Sequence, residues 1–369
     1  MPAGPAAPLN ILQLTFQGDG AGSTQSIFNL SDHLRRRGHR VILGVRDASL
    51  LARLGRDAGL PVVPLDFTRL GPLAARLAEV IAAERVDVVN SHATRDRRAL
   101  TWLRWRGRLR AGFVVTRRTM PRTSPLELFL IGHTADRTIA VSSAVSRALT
   151  ARLHPGAALR VVPNGIDLGR IDTPPSAAAM EFARNAIADD GRPKRPVIAI
   201  VARRKDQDVA IRALAAVERP VVLVCVGVDE DPELREAKAS VPDRHAVRFV
   251  PFVPDALAFY HLARIAALPS RIEGLSQALL EAMALGLPVV ASRAGGNPDL
   301  VTEDSGMLVS PRDPAAWAAA FTRLLENEAL ASRLGNAGKL RVRGEFTLKQ
   351  TVERTEAVYR EALTAIRIV

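Results

Sequence analysis

Glu273 and Glu281, separated by seven residues in EGLSQALLE, are the two acids whose setting asks for an explanation. The apolar run at residues 265–269 reads as a buried strand, residues 270–274 as a loop, and residues 275–285 as a helix rich in Ala and Leu. Gly286 and Pro288 stop that helix, and residues 289–292 form the next strand. Glu273 precedes the helix. Glu281 falls inside it, among Ala and Leu, where a carboxylate is costly unless something accepts it. The helix start leaves the backbone N–H groups of Gly274, Leu275 and Ser276 free for a phosphate. At ~1.5 Å per residue Glu281 lies about 9 Å further along, its side chain tilted back toward the N-terminus. A diphosphate at the helix mouth would have its sugar near Glu273 and its ribose near Glu281.

The order of these features, EGLSQALLE, then EAMALGLPVVAS and AGGNPDLV, resembles the retaining GT-B glycosyltransferases usually called family four. The resemblance implies that Glu273 contacts the donor sugar and Glu281 the ribose hydroxyls. It extends to VARRKDQDVAIRAL, where relatives place an Arg and then a Lys on the donor diphosphate. Arg203 and Lys205 take those roles. The loop is about three residues shorter than in relatives and the usual Gly is Ala202, so Arg204 is open to either role. A departing diphosphate gains negative charge that fixed cations stabilise. The stretch VRFVPFV, with Phe252, resembles the segment whose backbone lies by the nucleotide base, and Arg264 stands where relatives usually carry Asp.

The elements that must position these residues are strand–helix repeats. At 369 residues the chain has room for two domains. Residues 9–16 read as a strand, residues 17–23 as a glycine-rich loop and residues 24–37 as a helix, the opening of a Rossmann-like domain. GDGAGS lacks the full dinucleotide spacing, although Asp47, near the end of the second strand, keeps a nicotinamide enzyme open from this stretch alone. The same stretch resembles the family's opening, which implies that Gly20, Gly22 and Ser23 lie by the donor phosphates and the acceptor. His39, after a helix end, reads as structural. His92 follows a strand, at the edge where ligands bind in open parallel sheets, and is balanced between acceptor contact and a loop histidine. VVTRR ends in Arg118 where relatives commonly carry a catalytic His; a guanidinium stays protonated and is no base, but it suits an acidic sugar or an acceptor phosphate. His133 reads as helical packing, and Asn164-Gly165 as a turn. The acidic Asp229-Glu230-Asp231 reads as a solvated helix start rather than a metal site.

The expected fold is α/β, two Rossmann-like domains facing across a cleft (GT-B). The expected bounds are residues 1–171 for a basic acceptor-side domain, 172–195 for a linker, 196–345 for the nucleotide-sugar domain and 346–369 for a helix crossing back.

Charge is segregated. Residues 1–171 hold 25 Arg, no Lys and 12 acids, which accounts for the whole net charge of +13. The first half therefore faces something negative. Residues 95–122 hold ten Arg against one Asp, with Trp102 and Trp105 interleaved. On a helix these indoles share a face flanked by Arg104, Arg106, Arg108 and Arg110, which suits an anionic membrane surface. A solvated helix with its Trp packed on the sheet is the alternative. No nucleic-acid module accompanies the arginines. A lone Cys225 points to a reducing compartment, and with no signal-peptide pattern and no long apolar run the chain reads as soluble or lying on a surface; the family resemblance implies a cytoplasmic protein, peripheral at the inner face of the membrane.

The expected activity is metal-independent transfer, with retention, from a nucleoside-diphosphate sugar to a lipid-linked or polysaccharide acceptor, with no cofactor. A non-catalytic, membrane-attached binding subunit and a nucleotide-sugar epimerase are the rivals.

Overall fold

The computed structural model describes residues 7–19, 21–121, 123–188 and 195–366. The chain divides into two compact units, Met1–Asn164 with Leu348–Val369, and Gly165–Thr347. Each is a parallel sheet with helices on it.

The first unit carries β1 (Asn10–Leu14), β2 (Arg40–Val45), β3 (Val62–Pro64), β4 (Val88–Ser91), β5 (Gly112–Arg117), β6 (Arg137–Ala140) and β7 (Leu159–Val161). Their order in the sheet is β3-β2-β1-β4-β5-β6-β7. Strand periodicity of two sends Leu12 and Phe113 into one core and Ile11 and Val114 into the other, so both faces are covered. The second core includes Leu348, Val352, Tyr359 and Ala362 of the last helix, Leu348–Ile366.

The second unit carries β8 (Val197–Val201), β9 (Val222–Val226), β10 (Ala246–Val250), β11 (Ile265–Leu268), β12 (Val289–Ser292) and β13 (Met307–Val309), in the order β10-β9-β8-β11-β12-β13. In each sheet the chain winds outward from one central strand and then crosses to its other side. The crossover falls between β1 and β4 in the first unit and between β8 and β11 in the second. In open parallel sheets ligands bind where the loops leaving such strands diverge.

Several elements differ from the expectation. The opening helix is Ala21–Arg36, so Gly22 and Ser23 sit in its first turn rather than in a loop, and Gly20 lies outside the described residues. The expected linker holds the helix Ala177–Ile187, whose Phe182 meets Phe259 edge to face at 6.3 Å, so it is part of the second unit. The expected last helix is present as Leu348–Ile366, two residues inside its expected start, and follows the helix Glu328–Glu345. Between them Phe346 ends the earlier helix and Thr347 bridges to Ile166.

The basic segment is less helical than its pattern suggests. Its helix is Thr94–Trp105, so Arg106, Arg108 and Arg110 follow it in a turn and loop. Trp102 packs on the core with Arg106 over its ring at 4.5 Å, while Trp105 is 62% exposed. The two indoles do not form one exposed face. Arg104 is half-buried and bonds Asp136 at 2.7 Å, which makes it a clamp between elements rather than a surface cation. Among the described residues no helix is long and apolar enough to cross a membrane.

Candidate active site

The loops after β8 and β11 meet at the crossover of the second sheet. Two ion pairs join them. Lys205 Nζ donates to Glu273 Oε1 at 3.0 Å and to the Ile272 carbonyl at 3.2 Å. Arg271 reaches back to Asp206, its Nε to Oδ1 at 2.5 Å and its backbone N–H to Oδ2 at 3.1 Å. Asp206 has φ +59°, the left-handed region that a non-glycine residue adopts at some cost and that clusters at functional sites. Gln207, fully buried, sets the shape of this loop: its Nε2 donates to the Arg203 carbonyl at 2.7 Å and its Oε1 accepts from the Lys205 N–H at 2.6 Å. Arg203 is exposed at the loop tip.

Arg204 does not share the Arg203 role. It bonds Asp231 at 2.7 Å, Asp208 at 3.1 Å and Glu233 at 2.5 Å. Three carboxylates hold it as a structural cation. Asp231 also caps the helix Pro232–Ala239, accepting from Leu234 N–H at 2.8 Å, as a solvated helix start requires. Among the described residues no group of three His, Cys, Asp or Glu is placed for a metal.

The helix that follows β11 is Gln277–Leu285, two residues shorter at its start than the sequence pattern suggests. Ser276 is its N-cap, and its hydroxyl accepts from Leu279 N–H at 3.3 Å. Gly274 and Leu275 therefore belong to the loop, and the N–H groups that the helix start offers a ligand are those of Gln277 and Ala278. The Gly-Gly loop has a direct structural reason. A Cβ on Gly295 would lie 2.0 Å from the Glu273 carbonyl oxygen, and its φ is +52°. Gly296 N–H donates to that same carbonyl at 3.2 Å. Glu273 is thus seated on a surface only glycine provides.

Glu281 has a partner that sequence reading missed. Arg170, from the short helix Leu168–Asp172, places Nη1 2.7 Å from Glu281 Oε1 and Nη2 3.1 Å from Asp255 Oδ1. Burial raises the Glu281 carboxyl above its ordinary range and Arg170 pulls it back. Glu281 stands five residues, about one and a half turns, beyond Ser276, on the helix that follows Glu273 in the chain. Phe252 is 55% exposed in the loop after β10, and Arg264 is paired with Glu328 at 3.1 Å.

In the first unit the crossover edge holds a hydrogen-bonded chain. His92 Nε2 lies 2.8 Å from Gln13 Oε1, and Gln13 Nε2 donates to Tyr359 Oη at 3.0 Å. Asn90 donates to the same oxygen at 2.7 Å and accepts from Thr116 Oγ1 at 2.8 Å. His92 is 9% exposed; burial, then Arg118 and Arg97, hold it well below its ordinary range, so it is neutral. Arg118 bonds Asn164 at 2.7 Å, and burial lowers it to about 10. His39 accepts from Leu9 N–H at 3.1 Å and His133 bonds the Phe129 carbonyl at 2.8 Å, both structural roles. Asp47 is spent on an ion pair with Arg56.

Comparisons with known proteins agree with this geometry. Residues 20–170 match the family described as Glycosyltransferase Family 4, and residues 195–327 match Glycosyl transferases group 1. A D-inositol 3-phosphate glycosyltransferase of Salinispora arenicola is 36% identical over 230 residues, 56% of this chain and 50% of the relative. A GDP-mannose-dependent alpha-(1-6)-phosphatidylinositol monomannoside mannosyltransferase of Mycolicibacterium smegmatis is 33% identical over 228 residues, 57% of this chain and 58% of the relative. The match thus spans half or a little more of these relatives. Among solved structures, Anabaena Alr3699/HepE in complex with UDP is similar in fold, with TM-score 0.81 at 20% identity over 95% of this chain and 99% of that one. With the matched regions falling on both sheets and taking in the crossover loops of the second, the chain belongs to the family-four, group-1 glycosyltransferases.

Proposed function

We propose that the protein moves a sugar from a nucleoside-diphosphate sugar to a glycolipid or envelope-glycan acceptor, with retention at the anomeric carbon and without a metal. The observation that carries this reading is the contact of Lys205 with Glu273 where the β8 and β11 loops meet beside the start of the helix Gln277–Leu285. A cation, a carboxylate and free helix N–H groups at one sheet crossover suit a diphosphate with a sugar attached.

In the proposed reaction the bond from the sugar C1 to the diphosphate breaks and the acceptor oxygen bonds C1 on the same face. The acceptor's proton passes to the departing phosphate oxygen. Lys205, Arg203 and the N–H groups of Gln277 and Ala278 stabilise the charge that collects on that diphosphate. Glu273 holds the sugar and Glu281 the ribose hydroxyls. The first unit holds the acceptor, with His92, Arg118 and Ser23 as its candidate contacts. Trp105, Arg106, Arg108 and Arg110, all exposed, support attachment to an anionic membrane at the cytoplasmic face.

A thermal-shift screen against UDP, GDP, CDP and ADP, followed by turnover of the matching labelled sugars, tests this. A stabilising nucleotide whose sugar is turned over supports it; no response to any of the four removes it. Arg118, a cation where the family commonly has His, favours a second reading as a non-catalytic binding subunit, which would show the nucleotide shift and no turnover.

A further inference from the structure

Three arginines of the first unit are sheltered together, and none of them forms an ion pair with a carboxylate among the described residues; Asp96 and Glu127 act on Arg97, and Glu127 on Arg117, only through space. Arg97, on the helix after β4, is 5% exposed, and Arg117, the last residue of β5, is 6% exposed. Arg118 follows it and is half-buried. They share one neighbourhood: Arg97 and Arg118 both act on His92, and Arg97 acts on Arg117. Each has a neutral side-chain partner. Arg97 bonds Thr94 Oγ1 at 3.0 Å, Arg117 bonds Thr123 Oγ1 at 3.1 Å and Arg118 bonds Asn164 Oδ1 at 2.7 Å. The Nε–H groups of Arg97 and Arg118 are buried and have no acceptor among the described residues.

The nearby acids are committed elsewhere. Asp96 Oδ2 accepts from Ser91 Oγ at 2.7 Å, Ala93 N–H at 2.8 Å and His92 N–H at 3.0 Å, which caps the helix start. Burial raises its carboxyl to about 6. Glu127 is held by both arms of Arg98, at 3.0 and 2.9 Å. A buried guanidinium without an ion partner is costly to keep charged. Two buried guanidinia and a half-buried third, beside the C-terminal edge of β4 and β5 where parallel sheets bind ligands, outnumber the acids near them, an excess of positive charge that an anion among them would relieve.

We propose that Arg97, Arg117 and Arg118 form a subsite for a phosphate ester carried by the acceptor. A carboxylate brings one charge to three cations. A phosphate monoester brings nearly two and three terminal oxygens, which match several guanidinium forks at once. His92, neutral and with Nδ1 unpartnered, borders the subsite as an acceptor for a hydroxyl of the same molecule. This inference rests on the reading that the first unit holds the acceptor.

The test measures melting temperature with glycerol 3-phosphate, against sodium chloride at matched ionic strength. Wild type rises by a few degrees near saturation. In Arg97→Gln/Arg117→Gln the rise is lost, and the variant without ligand is no less stable than wild type, because repulsion is relieved. Should that pair fail to fold, Arg118→Gln, at a half-exposed site, weakens glycerol 3-phosphate at least tenfold. Lys205→Ala keeps the full rise. Vesicles of phosphatidic acid in phosphatidylcholine, compared with phosphatidylcholine alone, separate the sources: sedimentation with the former that both arginine variants abolish assigns the phosphate to a lipid headgroup, and its absence beside a retained glycerol 3-phosphate response assigns it to a soluble ester. No rise in wild type beyond sodium chloride, or a rise that survives both arginine variants, overturns the proposal. So does a rise that only Lys205→Ala removes, since it puts the phosphate at the donor loops. The nucleotide screen is read separately: a glycerol 3-phosphate response with no nucleotide response keeps this subsite and sinks the transferase reading.

Discussion

Arg170 and Glu281 face each other at 2.7 Å, a guanidinium from the short helix Leu168–Asp172 on a carboxylate inside an Ala- and Leu-rich helix. The pair answers why the helix tolerates an acid at that depth: burial favours the neutral carboxyl, and the cation opposes that shift in part. Arg170→Ala removes the cation and leaves the burial. Glu281 then titrates higher still, so the folded state holds a proton that the unfolded state has released. Stability falls as pH rises above the unfolded value of 4.5 toward the raised folded one. Denaturant melts at pH 5 and pH 8 should show the variant losing about 3 kcal/mol at the higher pH and less at the lower.

Arg203 and Lys205 are expected to act on turnover, and Arg204 on stability. Replacing Arg203 or Lys205 by Ala should lower turnover by roughly 100- to 1,000-fold, the scale for removing one donor from a developing anion. Arg204→Ala frees three carboxylates around the helix Pro232–Ala239. It should lower the melting temperature while leaving turnover per folded molecule within a few-fold. Steady-state kinetics beside a melting curve separates the two effects.

Gly295→Ala puts a methyl group where the Glu273 carbonyl stands, at a backbone angle that favours glycine. The loop must shift and carry Glu273 with it. We expect a loss of about 1–3 kcal/mol and a larger fall in turnover than that loss explains. A crystal structure of the variant with Glu273 unmoved would contradict this.

Cys225 lies fully buried in β9, and burial pushes its thiol up to about 12. A thiol reagent should leave it unlabelled in the native protein and label it as the second unit unfolds. Labelling rate against denaturant therefore reports that unit's stability without a spectroscopic probe.

Much of this was legible in the sequence because it rests on local patterns. Runs such as VVLVCV give the strands, and Gly286 before Pro288 gives the stop of the helix, where Gly286 indeed takes φ +90°. Glu273, Lys205 and the helix start were found together at one crossover. What escaped depends on distant partners. Arg170 precedes Glu281 by 111 residues, and nothing in LGRID announces a carboxylate so far along the chain. The two extra residues assigned to the helix start failed because Ser276 caps it through its own hydroxyl, a competition that apolar periodicity does not encode. The ten arginines of residues 95–122 read as one amphipathic surface, yet Arg97 and Arg117 are buried and Arg104 is tied to Asp136, because charge composition does not tell which side of the sheet edge a side chain takes.

The central claim is that the loops after β8 and β11 hold the donor. It is tested most directly by a crystal structure of the full chain with whichever of UDP, GDP, CDP or ADP stabilises it most. The predicted map has the diphosphate against Lys205 and the N–H groups of Gln277 and Ala278, with the ribose hydroxyls on Glu281. A nucleotide bound away from these loops, or one whose ribose leaves Glu281 untouched, would contradict the account.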